Sequence, residues 1–129
     1  MNTPAELLPP RCEVLIIGAG PAGSAAAITL ARAGLDVVLV DQHAFPRDKV
    51  CGDGLIPDAH QALAKLGVLS EVMHQAQQIS HLSCTSPRGK QIDIEGTLAV
   101  LPRKQLDDIS AKPPWLQGPG CLPPCALPN

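Results

Sequence analysis

The chain has 129 residues, of which 45% are hydrophobic and 17% charged, with a formal net charge of −2 at pH 7. This length suits one domain with a modest core, and the composition is that of an ordinary globular protein. The lack of net positive charge argues against nucleic acid as the main partner, because phosphate backbones bind to basic surfaces. Aromatic residues make up only 2% of the chain, so platforms for stacking bases are missing too.

Neither a transmembrane segment nor a secretory signal is predicted. The longest apolar stretch, Ala25 to Val40, is interrupted by Arg32 and Asp36, and it falls short of the roughly 20 apolar residues that a membrane span requires. The polar lead-in of residues 1–10 contains three prolines and no continuous apolar run. We therefore expect a cytoplasmic protein whose five cysteines are reduced thiols. Contact with a membrane surface stays open.

A βαβ unit is predicted directly after the lead-in. Residues 14–17 form a continuous apolar, β-branched run, which is typical of a strand buried on both faces of a parallel sheet. The alanine-rich segment from Pro21 to Ala33 predicts a helix with proline in its first turn and Gly34 just past its end. A second apolar run at 37–40 predicts another buried strand, which ends at Asp41. Strand, helix and strand in this order predict the α/β class with a right-handed crossover.

The middle of the chain is predicted to contain short helices and strands. Helices are expected over 57–66 and from Ser70, as N-cap, to about 77, and strands over 79–85, 91–95 and 98–101. Ile92 and Ile94 alternate with Asp93 and Glu95, which predicts a strand with one face in water. A further helix is expected to begin at Arg103 and to continue to about Ile109.

The turn between the first strand and helix has the pattern G-x-G-x-x-G, from Gly18 to Gly23. In a dinucleotide-binding fold, Gly18 permits the tight turn, Gly20 lets the backbone approach a pyrophosphate, and Gly23 lets the helix pack closely on the sheet. The helix N-terminus then offers free N–H groups to the diphosphate. Asp41, at the end of the next strand, is expected to accept hydrogen bonds from the adenosine ribose and to disfavour NADP. The alternative is a glycine-rich turn without a ligand.

Three segments resemble one group of proteins. Residues 16–27, Ile-Ile-Gly-Ala-Gly-Pro-Ala-Gly-Ser-Ala-Ala-Ala, followed by Asp41, resemble the N-terminus of the FAD-dependent oxidoreductase superfamily. The run Phe45–Leu55 is similar to a loop of the geranylgeranyl reductase family and of related flavin-dependent monooxygenases and halogenases. Leu101–Asp107 is similar to the R-x-x-x-D segment of that family. The resemblance implies a Rossmann-like FAD-binding domain over 11–110, and isoprenoid lipids as substrates of the reductase branch.

The resemblance also implies roles for individual residues. Ala22 and Asp41 would contact the ADP moiety, Cys51 and Gly52 would lie near the ribityl and isoalloxazine portion, and Arg103 would contact the flavin nucleotide from the other side. The predicted cofactor-binding residues are Gly18, Gly20, Ala22, Gly23, Asp41, Arg47, Cys51, Gly52 and Arg103.

For two of these residues, an interpretation without cofactor contact also stays open. Arg47 is expected to pair with phosphates or steady the flavin, or else only to solvate a loop. Cys51 is a flavin-adjacent thiol, or else a small residue in a tight turn. No catalytic residue is assigned. No metal is expected, because the four histidines lack metal-ligand spacing.

The composition changes abruptly near Ser110. Residues 111–129 contain six prolines and two glycines, which predicts a disordered or extended tail that cannot sit inside a sheet. The resemblance implies a longer chain with a substrate domain and a later Gly-Asp motif. We therefore expect a truncated, incomplete domain that is marginally stable and inactive alone.

Three interpretations stay open, and with them the question of whether this chain is an enzyme. The first is the FAD-binding part of a geranylgeranyl-reductase-like oxidoreductase. The second is the same part of a flavin-dependent monooxygenase or halogenase. The third is a non-catalytic dinucleotide-binding remnant that needs a partner chain.

Overall fold

The computed structural model describes residues 8–112 and the two-residue segment 125–126. In chain order its elements are β1 (Val14–Ile17), α1 (Pro21–Arg32), β2 (Val37–Asp41), β3 (Gly54–Leu55), α2 (Pro57–Leu66), α3 (Leu69–Gln75), β4 (Gln77–Thr85), β5 (Gln91–Val100), α4 (Arg103–Ala111) and β6 (Cys125–Ala126). They fall into two compact units. One comprises the described residues up to Val50 together with those from Arg103 onward, and the other is Cys51–Pro102.

The first unit is built on a parallel sheet in the order β1-β2-β6. β1 and β2 run in register from Val14 opposite Val37 to Ile17 opposite Val40, and α1 connects them. Every residue of β2 is buried, as the unbroken apolar run predicts for a central parallel strand. The predicted βαβ unit and α/β class are therefore confirmed.

β1 differs from its prediction, because only one of its faces is covered. Ile16 faces α1, and its Cγ2 lies 3.4 Å from the position that a Cβ of Gly23 would occupy. The side chains on the opposite face, Leu15 and Ile17, are 55% and 74% exposed. No element within residues 8–112 packs over that face. The apolar run correctly indicates a strand, but the prediction of burial on both faces was wrong.

The second unit contains an antiparallel sheet in the order β3-β5-β4, together with α2 and α3. α2 has the predicted bounds, and it ends at Gly67, whose φ of 74° is the left-handed conformation that glycine adopts readily. α3 begins two residues earlier than predicted, with Val68 rather than Ser70 at the N-cap. β5 joins the two strands predicted at 91–95 and 98–101 into one, because Gly96 and Thr97 continue the extended backbone.

The β4–β5 hairpin has one apolar and one polar face. Leu82 lies opposite Ile94 on the apolar face, and Ser83 lies opposite Asp93 on the polar face. The predicted alternation is present, but both faces are exposed, and Leu82 and Ile94 are each 50% accessible. The prediction of a single wet face was therefore wrong, because no described element covers the apolar side.

The predicted tail lies mostly outside the described residues. Ala111 is not part of a tail, because it ends α4 and is completely buried. Cys125–Ala126 pairs with β2 in parallel, opposite Val40 and Asp41, which contradicts the expectation that the tail cannot join a sheet. These two residues are not prolines, so both retain the backbone N–H that a sheet needs. In the part of the chain described, no helix is long and apolar enough to cross a bilayer.

Candidate functional site

The glycine-rich turn between β1 and α1 depends on two of its glycines. Gly18 has a φ of +105°, where a side chain would be strained, and its N–H donates to the carbonyl oxygen of Val40 at 2.7 Å. A Cβ on Gly23 would lie 1.8 Å from the carbonyl oxygen of Gly18. With the backbones of residues 18 and 23 this close together, the turn from strand into helix requires glycine at both positions.

The N-terminus of α1 is available to a ligand. Gly20 is the N-cap residue with an extended backbone, and no side chain caps the helix there. Pro21 has no N–H and occupies the first turn, and Ala22 follows it on the exposed surface. An uncapped helix start presents N–H groups and the positive end of the helix dipole, which together favour an anion.

Asp41 closes the opposite side of the turn. The residue is 5% exposed. Its Oδ2 accepts a hydrogen bond from the Ala19 N–H at 2.8 Å, and its Oδ1 accepts one from the His43 N–H at 2.9 Å. Burial alone would raise the pKa of Asp41, but these two hydrogen bonds and the charge of Arg47 outweigh it and hold the pKa below its ordinary value. The carboxylate is therefore ionised at neutral pH, and it retains lone pairs for further donors.

Two arginines reach the helix start from different segments. Arg47 follows β2 in the loop, and Arg103 is the first residue of α4. A Cβ on Gly20 would lie 3.7 Å from Nη2 of Arg103 and 3.8 Å from Nη2 of Arg47. Both guanidinium groups thus lie beside the N-cap of α1, where they add two positive charges to the helix dipole.

Asp107 lies behind the two arginines and is fully buried. It accepts two hydrogen bonds from Arg103, from Nε at 2.7 Å and from Nη2 at 2.9 Å. Nη1 of Arg47 lies 3.1 Å from its Oδ2. The sequence-based set of site residues omitted Asp107. The spacing of four residues from Arg103 in a predicted helix was the signal that could have identified it.

Arg47 is only partly satisfied by protein groups. Its guanidinium lies 4.8 Å from the centre of the Phe45 ring, its Nη1 makes an ion pair with Asp107, and its Nε is buried without a hydrogen-bond partner. Buried donors without acceptors are rare in proteins. Together with the uncapped helix start, this incompletely satisfied guanidinium, whose Nη2 lies beside Gly20, fits a ligand with several anionic oxygens, such as a diphosphate.

A cavity of about 400 Å³ adjoins the turn. Its lining combines the exposed end of β1 with the residues that follow β2, namely Ile17, Gly18, Asp41, Gln42, His43, Arg47, Asp48 and Lys49. The volume falls within the range of small-molecule sites. The cavity therefore offers an apolar wall at Ile17 next to the carboxylate of Asp41.

Six of the predicted site residues come together in the first unit, with Ala22 beside them at the helix start: Gly18, Gly20, Gly23, Asp41, Arg47 and Arg103. Cys51 and Gly52 are exposed and belong to the second unit, so their contact with a flavin stays a prediction. Among the described residues, no group of three or more His, Cys, Asp or Glu side chains could hold a metal ion.

A parallel βαβ unit with this turn, an acid at the end of its second strand and an uncapped helix start defines a dinucleotide-binding protein. The comparisons with known proteins identify the dinucleotide. A model of the FAD binding domain matches residues 11–110. The chain belongs to this family of flavoproteins, and FAD is its cofactor.

Two curated relatives are reductases. The chain is 43% identical over 109 residues to the menaquinone reductase of Mycolicibacterium smegmatis. The aligned region covers 76% of this chain and 25% of that reductase. The chain is 35% identical over 96 residues to digeranylgeranylglycerophospholipid reductase 2 of Methanopyrus kandleri, and this aligned region covers 74% of this chain and 24% of that reductase. The chain thus spans about a quarter of the length of these relatives.

Solved structures share the fold. A flavoprotein/dehydrogenase from Cytophaga hutchinsonii matches with a TM-score of 0.68 and 30% identity, over 78% of this chain and 27% of the other. A flavin-dependent brominase matches with a TM-score of 0.67 and 26% identity, over 77% and 26%. The sequence-based assignments of an FAD-binding fold and of FAD as cofactor are therefore confirmed.

Proposed function

We propose that the chain is the FAD-binding part of a reductase that acts on an isoprenoid lipid, and that the first unit holds the ADP half of the cofactor. The observation that carries the binding mode is the convergence of Arg47 and Arg103 on the uncapped start of α1, 3.8 and 3.7 Å from the position of a Gly20 Cβ. Two cations beside a helix N-terminus suit a diphosphate better than any neutral group.

Each part of the ADP half has a proposed partner in this arrangement. Asp41 accepts hydrogen bonds from the ribose hydroxyls, because it is ionised and each of its oxygens, which accepts one backbone N–H, has further lone pairs. The backbone from Gly18 to Gly23 and the two arginines hold the diphosphate. Asp41 also repels a 2′-phosphate, so NADP is a poor ligand for this site. Cys51 and Gly52 remain the proposed neighbours of the ribityl and flavin portion.

FAD supplies the redox chemistry when it is bound, since the reduced flavin can transfer hydride to a carbon–carbon double bond. The residues described above bind and orient the cofactor at its nucleotide end. Their contribution is therefore affinity and position rather than proton transfer, and no catalytic residue is proposed.

The substrate class rests on the relatives. Both reductases are named for lipids that carry isoprenoid chains. A flavin-dependent halogenase is the second candidate, favoured by the likeness to the brominase. The two are distinguished by supplying photoreduced FAD and a menaquinone to the chain, with and without oxygen and bromide. After reoxidation of the quinone ring, a product that has gained two hydrogens on a side-chain double bond supports the reductase, and a brominated product supports the halogenase.

We also propose a cytoplasmic location. Its support is that Cys12 and Cys84 are free thiols, as is usual in a reducing compartment.

The binding mode is tested by replacing Gly20 with valine. The added methyl groups extend from a Cβ that already lies in van der Waals contact with both guanidinium groups, so they would occupy the space of the diphosphate. We expect a folded variant, by circular dichroism, that no longer quenches FAD fluorescence. Gly96→Val is the matched control, because nothing lies within 4 Å of its Cβ position. Unchanged FAD affinity in Gly20→Val would contradict the proposal.

A further inference from the structure

Asp107 is the centre of a charge cluster that joins three segments of the first unit. It is completely buried, receives a two-pronged hydrogen bond from Arg103 and lies 3.1 Å from Nη1 of Arg47. Arg47 in turn lies 3.8 Å from Oδ2 of Asp41. The cluster therefore connects the end of β2, the following loop and the first turn of α4.

The geometry separates the two ends of the Arg47 guanidinium group. Arg47 directs Nη1 toward Asp107, and its Nη2 lies beside Gly20. Arg103 donates to the same carboxylate from Nε and Nη2, and this Nη2 also lies beside Gly20. The carboxylate thus holds both guanidinium groups next to the helix start.

The two cations would repel each other without this carboxylate. Both lie within 4 Å of the same point beside Gly20, and their side chains are largely buried, where charge interactions are strong. A single buried anion between them offsets the repulsion and fixes both orientations. Long side chains such as arginine otherwise lose considerable rotamer entropy when a ligand orders them.

We propose that Asp107 is a positioning residue for nucleotide binding: it holds Arg47 and Arg103 in place over the N-cap of α1, so that a diphosphate meets a preformed pair of cations. This inference rests on the proposed binding mode for FAD. It adds that diphosphate recognition depends on a buried residue that does not itself touch the ligand.

The test compares ligands with one and two phosphates. Calorimetric titration of the full chain with ADP and with AMP gives an affinity ratio that isolates the contribution of the second phosphate. Asp107→Asn keeps the shape of the side chain and removes its charge. We expect it to reduce the ADP-to-AMP ratio roughly tenfold, the scale of one charge-assisted hydrogen bond.

Asp108→Asn is the matched control. Asp108 is the next residue on α4 and pairs with Lys112 one turn further along the helix, so its loss removes one carboxylate from the same helix away from Gly20. We expect this variant to retain the wild-type ratio. A purely structural role of Asp107 would lower stability but leave the ratio unchanged.

A second variant covers the case in which Asp107→Asn does not fold. Asp107→Glu keeps the charge but moves the carboxylate along by one methylene, which displaces both guanidinium groups while leaving the cluster neutral overall. A reduced ratio in folded Asp107→Asn supports the proposal, and a wild-type ratio in it overturns the proposal; Asp107→Glu is judged in the same way only if Asp107→Asn does not fold. Wild-type chain that binds neither FAD nor ADP would instead overturn the proposed binding mode, and this inference with it.

Discussion

Gly20 and Gly23 belong to one motif, but the structure predicts that alanine at each has a different effect. A Cβ on Gly23 would lie 1.8 Å from the carbonyl oxygen and 3.0 Å from the carbonyl carbon of Gly18. Both atoms are backbone, so the turn itself must move to relieve the contact. A Cβ on Gly20 would meet only the tips of Arg103 and Arg47, at 3.7 and 3.8 Å, which are ordinary contacts.

The magnitude follows from the groups that must shift. Overpacking a tightly packed site costs about 1–3 kcal/mol. Moving Gly18 also weakens the hydrogen bond from its N–H to Val40, a loss of about 1 kcal/mol. Alanine recovers up to about 1 kcal/mol as the better helix former. We therefore expect Gly23→Ala to lower the free energy of unfolding by about 1–3 kcal/mol, a large share of the stability of a small domain.

Gly20→Ala changes the N-cap residue, where alanine is less favourable than glycine by up to about 1 kcal/mol. We expect a small loss of stability but clearly weaker FAD binding, because the new methyl group points toward the arginine pair. Urea denaturation followed by circular dichroism measures the stability of both variants, and FAD fluorescence quenching measures affinity. Equal stability losses in the two variants, or none in Gly23→Ala, would show that the Gly18–Gly23 contact does not limit the turn.

Three other perturbations address the acid, the cation and the exposed sheet. The pKa of Asp41 is lowered in the folded chain, so the ionised carboxylate stabilises the fold above the unfolded pKa of about 3.9, and this stabilisation is lost as the pH falls through the lower folded pKa. Asp41→Asn should therefore weaken the fall of the unfolding midpoint at acid pH. An unchanged fall would count against this role. Arg47→Ala should weaken FAD binding roughly tenfold and reduce the salt dependence of that binding. Arg88→Ala, in the exposed hairpin turn, should change neither quantity. Equal losses of FAD affinity in the two variants, measured by calorimetry, would argue against a phosphate contact of Arg47. Ile92 lies on the apolar hairpin face and is 62% exposed. Ile92→Lys should change the free energy of unfolding by less than about 0.5 kcal/mol and reduce self-association measured by light scattering. A large loss of stability would show that the face is packed.

The βαβ unit was predictable because its signals are local. Pro21 and Gly34 mark the start of α1 and the turn after it, and the unbroken apolar run of β2 is buried throughout. The acid ends β2, as the spacing from the glycine turn predicts, whereas its hydrogen bond from the Ala19 N–H is known only from the structure. These features depend on neighbours in the chain or on one strand pair, so periodicity and spacing suffice to find them.

Burial was less predictable because it depends on what packs over each face. The runs at 14–17 and 37–40 look alike in sequence, yet one face of β1 is exposed and β2 is enclosed. The hairpin shows the same effect, since its apolar alternation is real but uncovered. Asp107 was missed for a related reason: its importance comes from Arg47, which lies 60 positions earlier in the chain and joins it only in the fold.

A calorimetric titration of the chain with FAD, ADP and riboflavin tests whether the ADP half of the cofactor supplies the affinity. In the proposed binding mode this half is held by the turn at Gly18–Gly23, Asp41 and the two arginines. We expect FAD and ADP to bind at one common site, and riboflavin, which has no phosphate, to bind far more weakly. Riboflavin binding as tightly as FAD, or no binding of FAD at all, would contradict this binding mode.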